Sequence, residues 1–202
     1  MTAKNKVKFG LSRLYRAKLT RGEDGTVTFG NPIAMPGAVS MTVTPEGEEG
    51  SPFYADNGIY YQGDDVNGGY TLEFNVAMLD AEAKRDIYNE CLDEATGVQY
   101  EVVDAKIPEW AYICQVEGDV YPLGMVFYAC KASRNETSAN TKGESTEVDT
   151  DTFTVKAGAI AVEIGDETKS ITKGYIEGTE ANKAKYKAFF DGVVVPTGTP
   201  SA

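Results

Sequence analysis

The chain alternates apolar and polar residues with a period of two over much of its length, as half-buried β-strands do. Residues 6–9 alternate in this way, and Tyr15, Ala17 and Leu19 continue the pattern. Residues 21–25, Arg-Gly-Glu-Asp-Gly, form a turn cluster before the alternation resumes at 26–29, so a β-hairpin is expected there. Val39, Met41 and Val43 predict a strand with one apolar face, ending at Pro45, which cannot donate to a ladder. Tyr70, Leu72, Phe74 and Val76 predict another. The period then changes: Asp80 is a candidate N-cap, and Ala83, Ile87, Tyr88, Cys91 and Leu92 share one helical stripe, which predicts an amphipathic helix over about 80–92.

Beyond it, strands are expected over 99–103, 111–116 and 124–132, the last a nearly continuous apolar run suited to a central strand buried on both faces. Phe153, Val155 and Ala157 return to period two, as do Ile160, Val162 and Ile164, and residues 170–176 read as one further strand. Residues 180–190 predict a short helix anchored by Ala181, Tyr186, Phe189 and Phe190, followed by a short strand over 193–195 and a frayed tail over 196–202. The sum is one mainly β domain spanning 1–202, an antiparallel β-sandwich or partly closed barrel with a flanking helix.

Two segments break the pattern. Residues 45–69 are rich in Gly, Asp, Asn and Glu and read as a long excursion out of the sheet, yet they carry Phe53, Tyr54, Ile59, Tyr60 and Tyr61. Large apolar side chains on a solvated loop are costly, so these are expected to bury against something: a satellite core under the loop, or a neighbouring subunit. Residues 133–152 are polar and small throughout and read as a hairpin arm or flexible loop.

Composition narrows the chemistry. The net charge is −12 with a pI near 4.5, so tight binding to phosphate backbones or anionic lipid is disfavoured, while DNA as a non-adhering neighbour is compatible. There is no histidine, which removes the commonest general base and zinc ligand. Cys91, Cys114 and Cys130 are odd in number and widely spaced, and are expected as small buried side chains in a reducing compartment. No phosphate-binding glycine motif or nucleophile elbow occurs, and Asp149 and Asp151 lack the glycine and glutamate of a calcium loop. The carboxylates Glu46, Glu48, Glu49, Asp64 and Asp65 read as solubilising charge, and Asn135 in Asn-Glu-Thr, though an acceptor sequence for glycosylation, has no accompanying secretion signal. No catalytic, cofactor-binding or metal-binding residue is assigned, and neither a leader nor an apolar run of membrane-spanning length is visible.

Several stretches resemble the major tail protein (tail-tube protein) family of long-tailed bacteriophages, the non-contractile type found in phages of Gram-positive hosts. They are VKFGL at 7–11, PGAVSMTVTPEGE at 36–48, FYADNGIYY at 53–61, YTLEFNVAML at 70–79, and FYACKASRNETSANTKGESTE at 127–147 followed by VDTDTFTVKA. The resemblance covers about 7–196. It implies a non-enzymatic virion subunit with a β-sandwich and flanking helix, whose copies form hexameric rings stacked into the tube through which double-stranded DNA passes during ejection into the host. It also implies assembly in the host cytoplasm, with a tape measure protein and with tail terminator and distal tail proteins as partners. Some members carry a further immunoglobulin-like domain, for which too few residues follow Pro196.

Within that frame Phe53, Tyr54, Ile59, Tyr60, Tyr61, Arg134, Asn135, Thr141 and Lys142 are the expected intersubunit contacts. Glu73, Asn75 and Glu101 are the expected lining of the channel. Three alternatives stand beside this reading: a tube protein of a tailocin or type VI-like injection system, a monomeric β-sandwich for carbohydrate binding or adhesion, and an enzyme.

Overall fold

In the computed structural model, which describes residues 4–134 and 149–198, the main sheet is a curled antiparallel layer. Its first strand, β1 (Lys8–Arg21), is one long strand where the sequence suggested two pieces. The join is made by two register shifts against its partner, at Gly10 (φ 75°) and Arg13 (φ 50°), which the periodicity does not reveal. The Arg-Gly-Glu-Asp-Gly turn leads as expected into β2 (Val27–Phe29), which pairs with the end of β1. β3 (Ile33–Ala34) touches the same edge.

β4 (Ala38–Glu48) does not stop at Pro45. Among the described residues it pairs only with β7 (Val66–Val76), so it is a sheet edge, where a missing proline N–H costs nothing. Between them lies a hairpin of β5 (Pro52–Ala55) and β6 (Gly58–Gln62). After β7 comes α1 (Ala81–Tyr88), capped by the Asp80 carboxylate, which accepts from the Ala83 N–H at 2.7 Å. α1 ends four residues earlier than the stripe suggests, because Asn89 turns left-handed (φ 58°). Cys91 and Leu92 therefore form β8 (Cys91–Leu92), paired with β9 (Gln99–Tyr100).

β10 (Glu109–Gly118), β11 (Leu123–Ala132) and β12 (Asp151–Gly158) complete the centre of the sheet, and the run 126–130 is buried throughout, as its continuous apolar character predicts. β13 (Ile160–Ile164) and β14 (Glu167–Ile171) form a separate hairpin. The single strand expected over 170–176 is divided: β14 ends at Ile171, and β15 (Lys173–Glu177) joins the main sheet beside β11. A 3-10 turn over Glu180–Asn182 precedes α2 (Lys183–Ala188), and Tyr186, Phe189 and Phe190 are buried while Ala181 is exposed. Residues 193–195 are not a strand.

Among the described residues the main sheet runs β2-β1-β10-β11-β12-β7-β4, with all ladders antiparallel, and its two ends do not pair. The fold is mainly β and sandwich-like, and the sheet does not close into a barrel. Each face has its own core. One holds Leu14, Leu72, Phe74, Tyr112, Phe127 and Phe153 with α1 packed across it. The other holds Ile113, Val126, Tyr128 and Ile160 under Tyr186, Phe189 and Phe190. α1 is fixed by a charge as well as by grease. Arg16, 3% exposed on β1, donates to the Asp86 carboxylate at 2.6 and 3.2 Å, and Trp110 Nε1 donates to the Asp86 carbonyl.

Burial also sets the response to alkali. It pushes the Cys114 thiol up to about 12 from an ordinary value of 9.0, and the Tyr88 and Tyr128 hydroxyls up to about 12 from 10.0. Tyr112, wholly buried, is raised well above its ordinary range by the same desolvation. Below the unfolded values both states are protonated and these groups contribute no pH dependence. Above them the unfolded chain ionises first, so stability falls as pH rises from 9 toward 12. Urea midpoints measured across this range should be flat from pH ~6 to ~8.5 and then decline steadily.

Candidate functional site

The segment 45–69 is not a loop but a β-ribbon in two stages. First β4 and β7 continue outward together, Glu46 opposite Gly69 and Glu48 opposite Val66. Then, past Gly50 and Gly63, β5 and β6 form the tip. At this junction the backbones nearly touch: a Cβ on Gly50 would lie 1.8 Å from the Gly63 carbonyl oxygen. Gln62 Nε2 donates to the Gly50 carbonyl at 2.6 Å, and the Gly50 N–H to the Asp65 carboxylate at 2.9 Å. The tip reverses at Asp56 (φ 50°) and Asn57 (φ 61°), the two left-handed positions of a type I′ turn. Asp-Asn-Gly between Phe53-Tyr54-Ala55 and Ile59-Tyr60-Tyr61 is the sequence signal for that hairpin.

The ribbon carries apolar side chains on both faces. Phe53 stands opposite Tyr61, and Tyr54 opposite Ile59, with Tyr60 in the register shift between the pairs. In extended strands neighbours point to opposite faces, so Phe53 and Tyr61 share one face, Tyr54 and Ile59 the other. All five are exposed: Phe53 61%, Tyr54 63%, Ile59 59%, Tyr60 74% and Tyr61 62%. A satellite core under the segment is therefore not what the fold provides. A two-stranded hairpin without a sheet or helix against it is at best marginally stable in water. The whole segment 45–69 holds six carboxylates and no Lys or Arg, half of the net charge of −12.

A second apolar surface lies at the seam where the curled sheet stays open. An open groove of about 770 Å³ runs between β1 and β4. Leu11, Met41, Val43, Tyr70 and Met125 form its floor; each is partly buried against the core beneath. Phe9 and Val39 flank it, more than half exposed. The alternation places Val39 on the apolar face of its strand, but a register shift between Ala38 and Ser40 moves it out. The charged residues lining the groove are Lys8 and Lys173, and no carboxylate lines it.

The expected channel residues separate. Glu73 is exposed on β7, in register with Thr42 of β4 and Thr154 of β12. Asn75 shares that face with Ser40 and Thr152, donating to Thr152 Oγ1 at 3.2 Å. This makes one outer surface rich in hydroxyls, with Thr44, Thr71 and Lys156 continuing it. Glu101 lies elsewhere. It follows β9, and its carboxylate accepts from Arg134 Nε at 2.5 Å, so it belongs with a residue expected at the subunit interface. Arg134 also donates to the Val103 carbonyl. Asn135, Thr141 and Lys142, and most of the expected arm 133–152, lie outside the described residues; its last two residues, Asp151 and Thr152, begin β12.

The described residues contain no group of three or more His, Cys, Asp or Glu placed to hold a metal ion, and no helix long and apolar enough to cross a membrane. Fold and surface together define a mainly β protein that projects an apolar, acidic ribbon. No protein-family model matches the sequence, and no curated protein matches it significantly.

Proposed function

We propose that this chain is a structural subunit that assembles with copies of itself into stacked hexameric rings, forming the tail tube of a long-tailed bacteriophage. The observation that carries the reading is the β5–β6 ribbon, whose five large apolar residues have no cover within the described chain. Four aromatic rings at roughly two-thirds exposure amount to about 500 Å² of surface awaiting burial. A standard interface takes ~800 Å² from each partner, so the ribbon supplies more than half of one. Ring closure requires two different sticking surfaces on each subunit, and a projecting ribbon is one of them.

The resemblance at 36–48, 53–61 and 127–147 supplies the identity of the assembly. In that setting DNA passes through the tube without tight binding, and a tape measure protein and tail terminator and distal tail proteins complete the tail. The acidic balance suits a wall along which a polyanion must slide. The hydroxyl-rich face bearing Glu73 and Asn75 is the surface we assign to the lumen. Glu73→Lys should leave assembly intact and slow DNA ejection from assembled virions; unchanged ejection kinetics would remove that assignment.

Negative-stain microscopy of the concentrated protein tests the whole reading. Rings or tubes are expected. Featureless small particles at every concentration, with affinity for glycans, would favour a monomeric binding module instead.

A further inference from the structure

We infer that the open seam between β1 and β4 is the acceptor for the β5–β6 ribbon of a second copy. This rests on the self-assembly proposed above and goes beyond it by naming the surface that receives the ribbon. Three observations meet at the groove.

The first is incompleteness. A sheet that curls without closing leaves core residues reachable from solvent, here Leu11, Met41 and Met125. Residues 8–12 of β1 pair with β10 alone and β4 pairs with β7 alone among the described residues, so each presents an unpaired edge. Unpaired edges beside apolar surface are templates for added extended chain.

The second is shape and polarity. The ribbon is extended and apolar on both faces, so one face can lie on the groove floor while the other meets a further neighbour. The third is charge. The ribbon segment carries six carboxylates and no cation, whereas the groove is lined by Lys8 and Lys173 and by no carboxylate, and Lys4 and Lys6 precede it. Attraction between the two would orient the approach and discourage ribbon-to-ribbon pairing, where like charges would meet. Because donor and acceptor are different surfaces of one chain, the contact repeats head to tail.

The ribbon leaves its own β4 and β7 beside Pro45 and Tyr70, which border the same groove, so the alternative occupant is the chain's own ribbon folded back at Gly50 and Gly63. The structure holds it extended instead, with its rings exposed.

Cysteine pairing between copies decides the matter. In a Cys91→Ser background, a Ser51→Cys protein, which keeps all five large apolar residues of the ribbon, is mixed with a Val39→Cys protein at assembling concentration and mildly oxidised. Both positions are exposed, so the fold tolerates the changes. Covalent pairing should run about tenfold or more faster than with a Lys187→Cys control on α2, because docking raises the local thiol concentration. Lys173→Glu in the Val39→Cys partner should suppress it.

If micrographs show assemblies but Ser51→Cys pairs no faster with Val39→Cys than with the control, the groove is not the acceptor and self-assembly stands. If one chain carrying both cysteines closes on itself as a monomer in preference to pairing between copies, the docking is internal and the inference is overturned. If no assemblies form at any concentration, both readings fall.

Discussion

Tyr54→Ala and Tyr60→Ala should each abolish assembly at concentrations where the parent protein forms rings or tubes, while leaving the monomer folded. The two halves of this expectation have separate causes. Tyr54 and Tyr60 contribute nothing to either core, so their removal should change folding stability by no more than about 0.5 kcal/mol. At a subunit contact the same truncation removes a large ring from a desolvated centre, where aromatic anchors contribute about 2 kcal/mol or more. That is roughly thirtyfold in each contact, and it recurs at every contact around a closed ring. Sedimentation across a concentration series, with thermal melts of the same samples, separates the two. A variant that polymerises like the parent would show that the ribbon is not the anchor. A variant that melts early would show that the rings support the subunit's own fold.

The second large effect lies in the core. Asp86→Ala should lower the melting temperature by about 4–8 °C: Arg16 is buried but the Asp86 side chain is 33% exposed, so stranding the cation costs about 2 kcal/mol, less than for a fully buried pair, and each kcal/mol is worth ~2–4 °C in a chain of this size. Arg16 is 3% exposed, its guanidinium is held by Asp86 at 2.6 Å, and it lies 5.8 Å from the centre of the Trp110 ring. Without Asp86 a desolvated cation remains. Combining Arg16→Met with Asp86→Ala should recover most of the loss, because an apolar side chain of similar volume carries no charge to strand. If the single variant melts within a degree or two of the parent, water reaches Arg16 and α1 is held by packing alone.

The regular strands were legible because each has one buried face: Leu72, Phe74 and Val76, or Phe153, Val155 and Ala157, write their period directly into the chain. The start of α1 was legible for a local reason as well, the Asp80 cap. Its end was not, since Cys91 and Leu92 continue the helical stripe and only the left-handed Asn89 diverts them. The two-stage ribbon is not legible in the sequence because Pro45 is a stop in a central strand and harmless on an edge, and edge position belongs to topology.

The five large apolar residues of the ribbon stand out in the sequence against their polar surroundings, and the structure leaves all five exposed. That they find no burial within the described chain depends on where the ribbon points, which no periodicity encodes. The groove escaped sequence reading altogether. Phe9, Leu11, Met41 and Met125 come from three distant strands, and Val39 reached its edge only through a register shift.

The ribbon and the groove escape the sequence for one shared reason. Periodicity reports which residues share a face within one element. It does not report where a curled sheet fails to meet itself, and the ribbon and the seam both arise there.

Hydroxyl-radical footprinting of the protein below and above its assembly concentration measures the burial of the ribbon directly. Oxidation of Phe53, Tyr54, Tyr60 and Tyr61 should be fast in the dilute sample and drop severalfold once particles sediment, as a second copy covers rings now 61–74% exposed. Sedimenting particles whose ribbon rings react as fast as before would contradict the account.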